Sequence, residues 1–232
     1  MRPVAAKVKN YRSSIPKGAR ERVIATFVSG PQKYKAKYIL NGKVVGVRCF
    51  HESGELEYEW PLKNDLTHGI VYRSDIPGKL LSAEPYFNGL PHGVAKQWSD
   101  DGKLMGTYTM RHGTGLDLWW CGYGRRGSPY LSEARYVKNG KWQGFEWWLN
   151  PDQKSVSQER HFQDDQMHGI ERSWNQRGSL RRGYPKYWVK GQRITKRQYL
   201  RECANDATLP FFRQKDNRPY RNFPPEVSAR CS

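Results

Sequence analysis

The sequence has little of what most enzymes and membrane proteins are built from. It holds 4 cysteines in 232 residues, Cys49, Cys121, Cys203 and Cys231, with no C-x-x-C pair among them. Zinc sites need clustered ligands and disulfide scaffolds need denser cysteine, so reduced thiols and a cytoplasmic setting are expected. No apolar run reaches the ~18 residues of a membrane helix, which excludes an α-helical membrane protein. The N-terminus lacks the apolar core of a secretory signal; basic and acid-free until Glu21, it leaves a mitochondrial transit peptide as the weaker alternative. Two local signatures of nucleophilic and metal-assisted catalysis are missing: there is no G-x-S-x-G and no H-E-x-x-H. The expectation is a protein that is not an enzyme and takes no cofactor or metal.

Acids are scarce at both ends. Residues 1–36 carry +8, residues 172–232 carry +11, and the middle, 37–171, carries −1, within a net charge of +18. A neutral centre between two basic ends predicts an anionic partner: nucleic acid, an acidic protein surface or anionic lipid. Aliphatic residues are few, yet aromatics reach 13%, with 9 Trp, 14 Tyr and 8 Phe. Disordered chains are poor in aromatics, so an ordered, aromatic-rich core is expected.

A repeat organises the chain. Gly46, Gly69, Gly93, Gly115, Gly144 and Gly169 are each followed by an apolar residue, at spacings of 22 to 29. A turn dipeptide precedes most of them: Asn41-Gly42, Asn64-Asp65, Asn88-Gly89, Asn139-Gly140, Asp164-Asp165. Such pairs accept positive φ at both turn positions and join twisted antiparallel strands. Aromatic strands follow, ending near Phe50, Tyr72, Trp98, Trp120, Trp148 and Trp174. Each unit therefore reads as one β-hairpin, stacked on its neighbours because a lone hairpin is marginal. The expected fold is all-β, an elongated single-layer meander. It comprises a basic N-terminal arm over 1–21, six to seven hairpin units over 22–194, a short helix over 195–205 and a Pro-containing basic tail over 206–232. The tail is expected to be extended or disordered. The open sheet edges also allow pairing of two copies into a dimer.

The run Tyr86-Phe-Asn-Gly-Leu-Pro-His-Gly-Val-Ala-Lys-Gln-Trp-Ser-Asp-Asp-Gly-Lys-Leu resembles a MORN repeat, and more closely the variant in bacterial YwqK-family antitoxins. Gln166-Met-His-Gly-Ile-Glu-Arg-Ser-Trp-Asn-Gln-Arg-Gly-Ser-Leu repeats the likeness, which covers roughly residues 38–190. The resemblance implies a protein-interaction module, of antitoxin or immunity-partner type. The chain departs from the pattern at Arg111-His-Gly-Thr-Gly, in an insertion at 124–129 and in its basic ends.

Several residues stand out as candidates. His68, His92, His112 and His168 each precede a Gly, which makes them turn or packing elements rather than ligands. His51 and His161 fall outside that pattern. Gly122-Tyr-Gly-Arg-Arg-Gly127 fits a dinucleotide-binding string but sits in a hairpin array without the βαβ context. Its Arg125 and Arg126 could contact a partner from a protruding loop. In Trp119-Trp120 and Trp147-Trp148, adjacent strand residues point to opposite faces, so Trp119 and Trp147 are expected on the exposed face as interface anchors. Glu55, Glu57 and Glu59 share a face and read as a solvated acidic stripe. Arg181, Arg182, Lys186, Lys190, Arg193, Lys196 and Arg197, interleaved with Tyr184, Tyr187, Trp188 and Tyr199, form the candidate anionic-partner site. Two functions follow: a non-catalytic protein-interaction module acting through its repeat surface, or a nucleic-acid-binding or ribonucleoprotein-associated protein acting through its basic ends.

Overall fold

The computed structural model describes residues 10–122 and 128–231. Arg125 and Arg126 lie outside the described residues. The described residues are all-β apart from two short helices and one short 3-10 turn, and the chain forms two compact units, Met1–His112 and Gly113–Ser232.

The first unit is an antiparallel meander. Its strands are β1 (Arg20–Thr26), β2 (Lys33–Leu40), β3 (Lys43–Phe50), β4 (Leu56–Lys63), β5 (Leu66–Thr67), β6 (Gly69–Arg73), β7 (Ser82–Phe87), β8 (Leu90–Pro91), β9 (Gly93–Trp98) and β10 (Leu104–Arg111). The second unit repeats the plan with β11 (Thr114–Cys121), β12 (Tyr130–Lys138), β13 (Lys141–Leu149), β14 (Val156–Gln163), β15 (Gln166–Met167), β16 (Gly169–Ser173), β17 (Lys186–Val189) and β18 (Gln192–Ile194). Helices α1 (Lys196–Asn205) and α2 (Pro225–Ser228) follow. Thr195 caps α1 in a reciprocal box with Gln198.

Turn chemistry sets the register. Asn41, Asn64, Asp65, Asn88, Asn139, Asp164 and Asp165 all have positive φ, as the mirror-image hairpin turns require. His112-Gly113 and Lys190-Gly191 adopt the same conformation. The segment that departed from the repeat at Arg111 is thus an ordinary member of the series, because a Gly in second place carries most of the turn's conformational demand.

Strands after three of these turns break at a His-Gly pair: β5 and β6 around His68, β8 and β9 around His92, β15 and β16 around His168. The His N–H still donates across the break, to the carbonyls of Pro61 (3.1 Å), Pro85 (2.8 Å) and His161 (2.8 Å) respectively. At the break the backbone crowds its neighbour. A Cβ on Gly69 would lie 2.6 Å from the Cβ of Ser14, and one on Gly169 would lie 2.6 Å from that of His161. Gly144 differs, since nothing lies within 4 Å of its would-be Cβ and only its φ of +69° asks for glycine.

A single sheet layer leaves apolar faces to cover, and the chain covers them with its own terminal segments. In the first unit Ile15 is buried with Ala36, Tyr38 and Phe50, and Tyr11 packs against Leu56, Tyr72, Leu80, Ala83 and Trp98. In the second, α1 and the segment after it bury Tyr199 and Leu209 against Ile170 and Tyr187. The tail expected to be extended or disordered is therefore built into the fold. Its backbone adds to the sheet margin: Val156 N–H donates to the Pro219 carbonyl (3.0 Å) and Arg221 N–H to that of Lys154 (3.2 Å).

Candidate functional site

Two glutamates occupy the covered faces. Glu59 on β4 is fully buried. It accepts hydrogen bonds from Tyr11, from Ser13 Oγ (2.8 Å), from Ser14 N–H (3.1 Å) and from Arg48 Nε (2.8 Å). The acidic stripe is thus not solvated at Glu59, because the N-terminal segment lies over that face and supplies donors.

Glu159 on β14 is the counterpart in the second unit, and its partners are more basic. Oε1 accepts from Arg172 Nη1 (2.6 Å), and Oε2 accepts from Arg221 Nε (2.6 Å) and Trp147 Nε1 (3.0 Å). Burial alone would raise this carboxyl's pKa; Arg221, Arg172 and Trp147 outweigh that and hold it below the usual carboxylate range. Two guanidinium groups share one carboxylate, so the buried triad keeps one positive charge in excess.

Every nitrogen of Arg221 has an acceptor: besides Nε, Nη1 donates to the carbonyls of Arg218 (2.6 Å) and Tyr220 (2.8 Å), and Nη2 to that of Asp216 (2.9 Å). Arg172 is less well served. Its Nε reaches Asn217 Oδ1 at 3.3 Å, while Nη2 is buried and has no hydrogen-bond partner. The residue is only 2% exposed, and an unsatisfied buried donor costs about 1–3 kcal/mol, more when charged.

A cavity of about 660 Å³ opens here within the second unit. One side is sheet: Phe145 and Trp147 of β13, Glu159, and Ile170 and Arg172 of β16. The other is the tail from Pro210 to Asn222, bringing Phe211, Arg213, Lys215, Asp216, Arg218, Tyr220 and Arg221. Five cationic side chains face two acids. Arg213, Lys215 and Arg218 are exposed and form no ion pair among the described residues. Phe211 and Tyr220 are also exposed, at 70% and 67%.

The residues singled out in the sequence lie elsewhere or point differently. Trp147 lines this cavity, half-buried, stacked on Phe145 and edge-on to Phe223. Its neighbour Trp148 is the more exposed of the pair, at 43%. The order is the reverse of that expected, because the tail covers the Trp147 face. Trp119 is half-buried and pairs in register with Glu133. Arg181, Arg182, Lys190, Arg193, Lys196 and Arg197 are exposed. Arg181 Nε donates to the Trp174 carbonyl (3.1 Å), Lys186 sits 3.8 Å from Glu171, and Lys196 lies over the Phe212 ring. None of the seven lines the cavity.

Glu159, Arg172, Arg213, Arg218 and Arg221 were not singled out from the sequence. One signal for the first two was available. The blocks Leu56–Ser74 and Val156–Trp174 stand one hundred positions apart and align at Glu59 with Glu159, His68-Gly69 with His168-Gly169, and Tyr72 with Arg172. At that last pair an Arg stands where the other block has an aromatic.

The repeat histidines brace turns. His92 Nδ1 accepts from His112 N–H and His168 Nδ1 from Lys190 N–H, both at 3.1 Å, and His68 Nδ1 meets Asn88 through its side-chain Oδ1 at 3.1 Å and its N–H at 3.4 Å. His168 Nε2 is then the protonated nitrogen and donates to Thr208 Oγ1 (3.0 Å).

Among the described residues no group of three or more His, Cys, Asp or Glu is placed to hold a metal ion. Among the described residues no helix is long and apolar enough to cross a membrane. No protein-family profile matches the chain, and no curated protein matches it in sequence.

Proposed function

We propose that this chain is a non-catalytic protein-interaction module, of the antitoxin or immunity-partner type, which takes hold of an acidic partner protein. The observation that carries this reading is the excess positive charge at Glu159, Arg172 and Arg221, set in a concave cavity ringed by free cations. An uncompensated buried charge is costly, and an anionic group from a partner relieves it. Glu59 and Glu159 are each tied by several donors, which suits a structural and binding role better than proton transfer. The resemblance of residues 38–190 to YwqK-family repeats points the same way.

Nucleic acid is the second reading. Exposed Phe211 and Tyr220 beside Arg213, Lys215 and Arg218 are the ingredients of a base-stacking platform with phosphate contacts.

A tagged pull-down at about 150 mM salt, with and without nuclease, separates the two. One protein retained in stoichiometric amount after nuclease treatment is the expected result. Loss of every partner on nuclease treatment would transfer the function to nucleic acid.

A further inference from the structure

We infer that the cavity of the second unit is a carboxylate receptor for an acidic peptide segment, with the surplus positive charge of Arg172, Glu159 and Arg221 drawing in the end of a glutamate side chain. This deepens the protein-interaction reading and rests on it. Three observations meet here. The Nη2 donor is buried and unpartnered on a residue 2% exposed that lines the cavity. The cations at the mouth, Arg213, Lys215 and Arg218, are exposed and unpaired among the described residues. Phe211 and Tyr220 present apolar surface between them.

The recess selects the shape of the anion. A phosphodiester is tethered on both sides close to its charged oxygens, so a strand crossing the mouth keeps its phosphates at the rim. A glutamate carboxylate stands alone at the end of two methylenes and reaches inward. Once there, it balances the triad's surplus charge across a short, poorly solvated distance. Acidic neighbours in the same segment meet the three rim cations, and an apolar neighbour lies on Phe211 or Tyr220.

The test uses the full chain and a fluorescein-labelled octapeptide, Glu-Glu-Leu-Glu-Glu-Leu-Glu-Glu, read by anisotropy. The same peptide with Gln for every Glu, an octamer of uridylate and inorganic phosphate serve as comparison probes. Binding of the Glu peptide and not the Gln peptide is expected. R213A/R218A changes exposed residues only, so its melting temperature should match the native chain while affinity falls at least about ten-fold, the scale of one charge-assisted hydrogen bond. R172M leaves Arg221 facing Glu159 but removes the surplus charge, and an equal loss is expected from it. Should R172M melt early, the rim variant still decides. Peptide binding that ignores R213A/R218A, or no peptide binding at all, overturns the inference. So does tighter binding of the uridylate octamer that R213A/R218A abolishes. A pull-down partner retained undiminished by R213A/R218A would sink the receptor and leave the protein-interaction reading standing. Absence of any protein partner would sink that reading itself.

Discussion

At Gly169 the added cost of a side chain can be read from two sources. Its φ is +144°, and a Cβ would press on His161, a buried ring whose Nδ1 donates to the His168 carbonyl and which cannot swing away freely. Gly169→Ala should therefore lose about 2–4 kcal/mol, strain and overpacking together, in a denaturant titration. Gly42→Ala, with φ +75° and open space, should lose only about 1 kcal/mol. Equal losses would remove the crowding account. Glu133 offers a different lever. Burial pushes its carboxyl up to about 7, with Glu146 and Asp117 adding to the rise and Arg135 opposing it. Arg135 lies 2.5 Å from Glu133 but also serves Asp117 at 3.1 Å and Glu146 at 3.9 Å, so one guanidinium is divided among three acids. The folded carboxyl keeps its proton to about pH 7 where the unfolded one releases it near 4.5. Stability is thus full below that lower value and falls as pH rises to the upper one, by about 2–3 kcal/mol. Glu133→Gln should flatten the melting temperature between pH 5 and pH 8; an unchanged pH profile would rule Glu133 out as the cause. Residues of the repeat were legible because turn chemistry is local. Asn88-Gly89 needs no tertiary context to be read. Alignment with Tyr72 could mark Arg172 but not its consequence, since what makes it unusual is a nitrogen left over after Glu159 and Asn217 are satisfied, and only the packed tail creates that remainder.

Hairpins, helix α1 and the repeat period followed from pattern, and the terminal segments did not. Proline-rich, basic and without periodicity, residues 206–231 carry none of the signals of a strand or long helix. Their order comes from what they cover: Trp174 Nε1 donates to the Asn217 carbonyl (2.7 Å), and Arg221 lies over the Trp174 ring at 5.0 Å. The error in the Trp147-Trp148 pair has the same origin, because alternation states that two faces exist and not which of them the tail will cover. Deleting 206–232 should strip cover from Ile170, Tyr187, Tyr199 and Trp174. Each large apolar side chain exposed forfeits about 1.5–3 kcal/mol, so the shortened chain should melt earlier and open β13 to β17 to chymotrypsin. A melting curve that overlays the native one would mean that the tail rests on the sheet without supporting it.

Charge is the property of the whole chain that composition stated plainly, +18 with the excess in the terminal segments. The structure draws part of that excess inward, to Arg172 and Arg221, and leaves Arg213, Lys215 and Arg218 outside it. Association with an acidic partner should then be steered, its rate constant falling about ten-fold or more between 50 mM and 500 mM salt in stopped-flow mixing. A flat rate would take the basic rim out of the encounter. The histidine braces couple one hairpin to the next. His92 holds the turn at His112, His68 the turn at Asn88 and His168 the turn at Lys190, and in every case the brace reaches forward along the sequence. Each such bond is lost when either of its two hairpins opens, so the coupling is mutual. Within each unit, braced neighbours should therefore open together rather than singly, as one cooperative group.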